Sequence, residues 1–352
     1  MRVLVTGGAG FIGQSVVAQL LDTGHQVLVL DSLRPDVHRD GGTTARERLL
    51  TLGIDLVVGD VRDAEVVRAA LSGVEAVVHL AAKVGLGVDL GDMDDYVSSN
   101  DHATAVLLRS LDSTGIRRFV QASSMVVYGE GRYTCHDHGR VSPTPRTRAA
   151  LSHGRFEPGC PVCGADLVPG LVDEDAAMDP RNTYAATKVA QEYLAAIWSR
   201  EAGGSAVSLR LHNVYGPGMP RNTPYAGVAS VFASALSRDE APRVFEDGGQ
   251  RRDFVHVTDI ARAFVTALAA TSERSAPHRA YNVGSGVIST IADLARALSA
   301  SRRGPEPVVT GEFRLGDVRH ITASSARIQD ELNWQASVSL ADGVPGLTFG
   351  QL

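Results

Sequence analysis

Seven residues constrain this chain more than any others: Gly7-Gly8-Ala9-Gly10-Phe11-Ile12-Gly13, set between the apolar run Val3–Thr6 and the helical pattern Phe11–Asp22. Glycines at a strand-to-helix junction allow a tight turn, close helix–strand contact and the approach of an anionic group to the backbone. The amino end of the following helix presents unpaired N–H groups and a favourable dipole to phosphate. A strand that runs straight into a helix in this way opens a strand–helix–strand unit, whose strands are parallel.

The rhythm continues along the first half. Gln26–Leu30, Asp55–Val58, Ala76–Leu80 and Arg118–Ala122 read as further short strands, almost continuously apolar, as strands covered on both faces are. Ala64–Leu71, Asp95–Leu111 and Thr183–Arg200 read as intervening helices. The expected fold is α/β: a doubly wound parallel sheet over residues 1–212 and a smaller α/β domain over 213–352. Beyond Val214 the pattern loosens into Pro- and Gly-rich loops with short helices such as Ala229–Leu236 and Thr290–Ala300, and segments near 253–285 are expected to return to the first domain. Residues 131–180 break the rhythm with Cys, His, Pro and Arg and read as an insertion.

Composition removes several function classes. A formal charge of -6 argues against a nucleic-acid surface, which needs clustered positive charge. No apolar run approaches the roughly 20 residues needed to span a bilayer. Met1–Thr6 runs straight into a strand without signal-peptide anatomy, so a cytoplasmic setting is expected.

Asp31 closes the second strand 18 residues past Gly13. A carboxylate there accepts hydrogen bonds from a ribose 2′-hydroxyl and repels a 2′-phosphate, which makes NAD the expected cofactor rather than NADP. Asp60-Val61 follows the third strand, either beside the adenine or as a strand-end cap. Tyr184 and Lys188 stand four residues apart, and so on one face of a helix. Tyrosine near neutrality serves as a base only if its pKa falls by about 3 units, roughly 4 kcal/mol. A neighbouring ammonium and a cationic nicotinamide both favour the phenolate. Lys188 is also one of only two lysines, with Lys83, against 32 arginines, and an ammonium and a guanidinium are not interchangeable.

With these motifs in order, the chain resembles an extended short-chain dehydrogenase/reductase of the nucleotide-sugar epimerase/dehydratase family, whose first domain is of the Rossmann type. The resemblance rests on Thr6–Gly13, Gly59-Asp60, His79–Ala82, Asn100, Ser123–Gly129, Tyr184–Lys188, Leu209–Pro217, Arg252–Val257 and Tyr281–Gly284. It implies that Ser124 hydrogen-bonds the reacting sugar hydroxyl, that Tyr184 is the acid/base, and that Lys188 binds the nicotinamide ribose. It places Leu80, Ala81, Ala82, Lys83 and Asn100 on the cofactor side. Asn213, Arg252 and Arg314 become diphosphate contacts and Asp317 a nucleoside-ribose contact.

Family dehydratases carry Asp-Glu directly after the Ser or Thr, whereas Met125-Val126 stands here and cannot transfer a proton. The implied reaction is therefore epimerisation at C4 of a dTDP- or UDP-sugar through a transient 4-keto sugar. A net 4-ketoreductase using external NAD(P)H and an NAD-binding sensor without catalysis are the alternatives. His212, in Leu211-His212-Asn213 where many relatives have an aromatic residue, either touches nicotinamide or sugar or packs beneath them. The resemblance also implies a homodimer paired through the helices Asp95–Leu111 and Thr183–Arg200.

All three cysteines fall within 29 residues of the insertion, as Cys135 and the pair Cys160-Pro161-Val162-Cys163. With His138 they have the residue types and spacing of a structural Cys3His zinc site, and His136 and His153 are alternative fourth ligands. Four protein ligands would leave no open position for substrate.

Overall fold

The computed structural model describes residues 1–38, 40–85, 90–220, 227–271 and 278–347. Seven strands form one parallel sheet in the spatial order His278–Val283, Ser205–Leu211, Arg118–Ser124, Ala76–His79, Arg2–Thr6, Gln26–Asp31, Asp55–Val58. Alternate side chains along each strand feed opposite faces, as pleating requires. Val3, Val5, Val29 and Val78 pack with Val16, Leu20, Ile260 and Phe264 from the helices Phe11–Asp22 and Val257–Ala270. Leu4, Leu28, Val77 and Phe119 pack on the other face with Val67, Leu107, Leu111 and Trp198 from Ala64–Ala70, Ala103–Thr114 and Thr183–Ala202. The sheet is doubly wound and Rossmann-like, with a core on each face.

The expected helix Asp95–Leu111 is interrupted. An α-helical turn, Met93–Tyr96, passes into a π-helical turn, Val97–His102, before Ala103–Thr114 resumes. Such a bulge inserts an extra residue into the helix and often marks a functional site. Here Asn100 lies on it, fully buried.

After Leu211 the chain builds a second layer. Asn213–Tyr215, Arg251–His256 and Ile288–Thr290 form a small sheet, while Val228–Leu236 and Ile291–Arg302 pack around Tyr215, Phe232, Phe254 and Leu294. Within residues 253–285, Val257–Ala270 lies on the large sheet and His278–Val283 forms its edge strand. The insertion forms its own antiparallel sheet, Gly139–Val141 with Arg132–Cys135 and Val168–Gly170, around a small cluster of Tyr133, Cys135, Cys160 and Leu167 with Val141 packed against it.

Candidate active site

A cleft of about 1560 Å³ runs across the carboxyl ends of the large-sheet strands and out to the second layer. Its first wall is the glycine-rich turn. Gly7 takes a left-handed φ of +72°, and its N–H donates to Leu30 O at 2.9 Å. A Cβ on Gly7 would come within 2.6 Å of Ala81 N, and one on Gly13 would overlap the Gly7 carbonyl oxygen. No side chain caps the helix Phe11–Asp22 at Gly10, so its first N–H groups face the cleft that Gly7, Gly10, Phe11, Ile12 and Gly13 line.

Asp31 lines the cleft at the end of its strand. Its Oδ2 accepts from Ala9 N at 3.1 Å and its Oδ1 from Leu33 N at 2.9 Å, which fixes the carboxylate. Asp60 and Val61 line the same end, with Asp60 held below the usual carboxylate range by the Arg62 guanidinium at 2.6 Å. Leu80, Ala81, Ala82 and Lys83 form the floor beyond the Ala76–His79 strand. The Lys83 ammonium donates to Asp92 at 2.9 Å and Asp95 at 2.8 Å, an ion-paired arrangement that sequence alone did not foretell. Asn100, expected on the cofactor side, does not line the cleft. Its amide accepts from Lys83 N at 2.7 Å and donates to Lys83 O and Thr187 Oγ1, so it fastens the floor to the helix behind it.

Ser124, Tyr184 and Lys188 line the middle of the cleft. Ser124 ends its strand, and Tyr184 is the second residue of Thr183–Ala202, a helix started by Asn182 accepting from Ala185 N at 2.8 Å. Lys188 lies one turn on, its Nζ 5.8 Å from the Tyr184 ring centroid and donating to Ala122 O at 2.9 Å. Burial pushes the Tyr184 hydroxyl up to about 12 against the opposing effect of Ser124, and it pushes Lys188 down to about 8. The expected lowering of Tyr184 by Lys188 is therefore not supplied by the chain alone.

A charged network beneath this triad escaped the sequence reading. Glu192 is 2% exposed and Arg210 is 3% exposed. Their ion pair closes at 2.7 Å, Ser123 Oγ donates to Glu192, and Arg210 donates to Tyr128 Oη at 2.7 Å. Tyr128 Oη donates in turn to Asn282 Oδ1 at 2.7 Å. The signals were present: Glu192 continues the four-residue spacing of Tyr184 and Lys188, and Arg210 is the one charge in the fully buried strand Ser205–Leu211. His79 is likewise structural. It bonds Thr6 Oγ1 at 2.7 Å and Thr104 Oγ1 at 3.0 Å, and burial drives its pKa down to about 3.

Asn213, Arg252, Arg314 and Asp317 line the far end. Arg252 is not a free clamp, because its guanidinium donates to the carbonyls of Arg251, Val318 and Arg319 at 2.7–3.0 Å. Arg314 stacks 5.4 Å above the Phe245 ring. Burial raises the Asp317 carboxyl above its usual range. His212 also lines the cleft, 4% exposed, with neither ring nitrogen hydrogen-bonded, and Asn213 Oδ1 is buried without a partner.

The insertion brings Cys135, His138, Cys160 and Cys163 together, with all four ligand atoms within 4.8 Å of one another. Cys135 Sγ is 3.7 Å from Cys163 Sγ and 3.4 Å from His138 Nδ1, and Cys160 Sγ is 3.7 Å from His138 Nδ1. A regular tetrahedron with Zn–S of about 2.3 Å and Zn–N of about 2.0–2.1 Å has S···S edges of about 3.8 Å and S···N edges of about 3.6 Å. A disulfide would need sulfurs about 2.05 Å apart. The two alternative histidines turn elsewhere: the His136 side chain is 99% exposed beside Asp137, and His153 bonds Ala149 O.

Comparison with known proteins bears on both halves of the cleft. The model of the NAD dependent epimerase/dehydratase family matches residues 3–150 and 161–284, its one break falling inside the insertion. A dTDP-L-rhamnose 4-epimerase of Burkholderia thailandensis is 34% identical over 347 residues, covering 97% of this chain and 93% of that protein. A UDP-glucose 4-epimerase of Corynebacterium glutamicum is 29% identical, covering 95% of this chain and 90% of that protein. Among solved structures, UDP-glucose 4-epimerase of Thermotoga maritima with UDP-glucose superposes with a TM-score of 0.77 at 26% identity, over 99% of this chain and 97% of that one. The UDP-glucose 4-epimerase of Thermus thermophilus in complex with NAD gives 0.75 at 27% identity, over the same shares.

Proposed function

This chain belongs to the NAD dependent epimerase/dehydratase family, and from that premise we propose that it interconverts the C4 epimers of a dTDP- or UDP-linked sugar with NAD as resident cofactor. The observation that carries this reading is a single cleft lined at once by the glycine-rich turn and Asp31, by Ser124, Tyr184 and Lys188, and by Arg252, Arg314 and Asp317. The turn fits a dinucleotide, since Gly7 and Gly13 let it pack against Ala81 and the first helix where any Cβ would collide with backbone, and the Asp31 carboxylate is set to accept from a ribose hydroxyl. NAD would supply the hydride acceptor and donor that no side chain provides.

Tyr184 Oη takes the proton of the C4 hydroxyl and later returns it, while Ser124 Oγ holds the same oxygen. Lys188 Nζ binds the ribose and favours the phenolate. Met125 and Val126 line the cleft beside Ser124 without an ionisable group, so loss of water has no acid or base there. Asn213 and Arg314 contact the diphosphate and Asp317 the nucleoside ribose, Arg252 orders the Val318–Arg319 backbone that closes this end, and His212 faces the sugar side. Residues 1–212 chiefly hold the cofactor and 213–352 the nucleotide sugar. Two further parts of the proposal are structural. Cys135, His138, Cys160 and Cys163 hold one zinc ion, supported by the tetrahedral spacing of their ligand atoms. The protein pairs as a homodimer, supported by the exposed Met93, Val97, Tyr193 and Ile197 on the helices that would meet. Among the described residues, no helix is long and apolar enough to cross a membrane.

The test is to incubate the protein with a dTDP- or UDP-hexose without added reductant. Appearance of the C4 epimer with no net change in NADH is the expected result. Turnover only with stoichiometric NAD(P)H would favour a reductase instead.

A further inference from the structure

The Cys/His insertion does not line the cleft with its metal-type ligands, yet two of its side chains grip the segment that does. Arg146, 5% exposed, donates to Glu246 Oε1 at 2.8 Å and to the Asp317 carbonyl at 2.7 Å. Glu157 stands three residues before Cys160 and spans two partners. Its Oε1 accepts from Arg319 at 2.7 and 2.8 Å, and its Oε2 meets His320 Nε2 at 2.8 Å. Burial works against the Glu157 carboxylate, but His320 and Arg319 hold it down to about 2. The insertion therefore contacts 317–320 from outside, while Arg252 holds Val318 and Arg319 from within the cleft.

The insertion can place these two side chains only if it is itself rigid. Around the ligand cluster its apolar core is four residues with Val141 beside them, two of the four being cysteines, while Val172, Ala176 and Met178 pack separately near Ile321, so the ligand-bearing half has little core of its own. The Cys160–Cys163 turn is closed by Gly164 N to Cys160 O and Cys160 N to Ala165 O, both 2.8 Å. Across the ligand cluster, Cys135 of the strand Arg132–Cys135 joins the two arms of the insertion. A metal ion there would replace the missing core.

We propose that Arg146 and Glu157 are positioning residues for the nucleoside-diphosphate end of the cleft, and that metal at the Cys3His cluster sets the affinity for nucleotide by holding them in place. This rests on the nucleotide-sugar and zinc readings above. Neither side chain touches the reacting atoms, so the effect falls on binding. Two coupled sites typically change each other's affinity about 5- to 150-fold, and the coupling is reciprocal.

Titration of dTDP and UDP by calorimetry, with NAD as control, tests this on three forms of the full chain: as purified, stripped of metal by a chelator, and Glu157→Gln. In both altered forms nucleoside diphosphate should bind about 5- to 150-fold more weakly, with NAD affinity unchanged. Glu157→Gln should keep its metal, raise KM for the nucleotide sugar and leave kcat within about twofold, a split that general destabilisation would not give. Saturating dTDP or UDP should tighten metal binding by the same factor. Arg146→Met provides a second variant if Glu157→Gln folds poorly. Equal nucleotide affinity with and without metal, or in Glu157→Gln, overturns the proposal. So does a purified protein without metal, which fails the zinc reading, or one that binds NAD but neither nucleotide, which fails the nucleotide-sugar reading.

Discussion

Lys188 offers a quantitative handle on the site. The residue is 3% exposed and burial lowers its pKa to about 8, against 10.5 for the ordinary side chain. Because the folded value is depressed, the unfolded chain binds more protons between these limits, and stability must rise with pH there. A shift of this size corresponds to about 3 kcal/mol of cost for the buried ammonium below pH 8. Lys188→Met removes the titrating group while retaining much of its bulk. Linkage then gives a gain of about 2.5 kcal/mol for the parent relative to the variant between pH 7 and pH 10. Urea midpoints of the cofactor-free proteins at several pH values would measure it, since other titrating groups cancel in the difference. A gap constant to within about 0.5 kcal/mol would refute the reasoning, because the amine would then titrate as in water.

The remaining predictions address separate parts of the molecule. Tyr184→Phe should lower turnover by about 10² or more while leaving NAD affinity near its original value, as read by steady-state kinetics and calorimetry. Gly13→Ala should abolish NAD binding in a folded protein, because its Cβ would overlap the Gly7 carbonyl oxygen; calorimetric affinity within about threefold of the parent would count against it. Glu192→Ala should cost about 3–5 kcal/mol in chemical denaturation by leaving the Arg210 guanidinium buried without a carboxylate, and a loss below about 1 kcal/mol would contradict the network.

What the sequence revealed, and what it hid, follows from the range of the interactions. Gly7, Gly13 and Asp31 act through backbone geometry within one strand–helix–strand unit, so their spacing alone points to the turn. All the expected cleft residues except Asn100 line the cleft; those from Gly7 to Lys83 and Ser124 follow strand ends, where a parallel sheet gathers them, and the others come from the helix Thr183–Ala202 and the second layer. Asn100 instead stands on a π-helical turn and bonds Lys83 and Thr187 behind the cleft floor, contacts across 17 and 87 residues that no local pattern encodes. The Arg210–Glu192–Tyr128–Asn282 network joins segments up to 154 residues apart, and no local pattern encodes such a meeting. The four cluster ligands were legible because cysteines are scarce. The contacts of Arg146 and Glu157 with the segment 317–320 were not, because arginine and glutamate are common and their partners lie more than 160 residues away.

The electrostatics of Tyr184 and Lys188 carry one further step. Burial moves the two groups in opposite senses, to about 12 and about 8, so both neutral forms are favoured over the ion pair. Desolvation thus disfavours moving the phenolic proton to the amine, whose own charged form is disfavoured in the same surroundings. No carboxyl stands at positions 125 and 126 to share the task. In the proposed reaction, a second cation beside Tyr184 would offset part of that cost as a sugar hydroxyl loses its proton there, and an oxidised nicotinamide is such a cation. In the proposed mechanism, proton removal would thus be tied to cofactor occupancy by the low dielectric of the site. The same desolvation that raises the tyrosine pKa makes any arriving positive charge act strongly on it. Phenolate absorbance near neutral pH should accordingly emerge on adding oxidised NAD and remain absent with the reduced form, whose ring is neutral. Equal absorbance with both forms would show that charge is not what lowers the Tyr184 pKa.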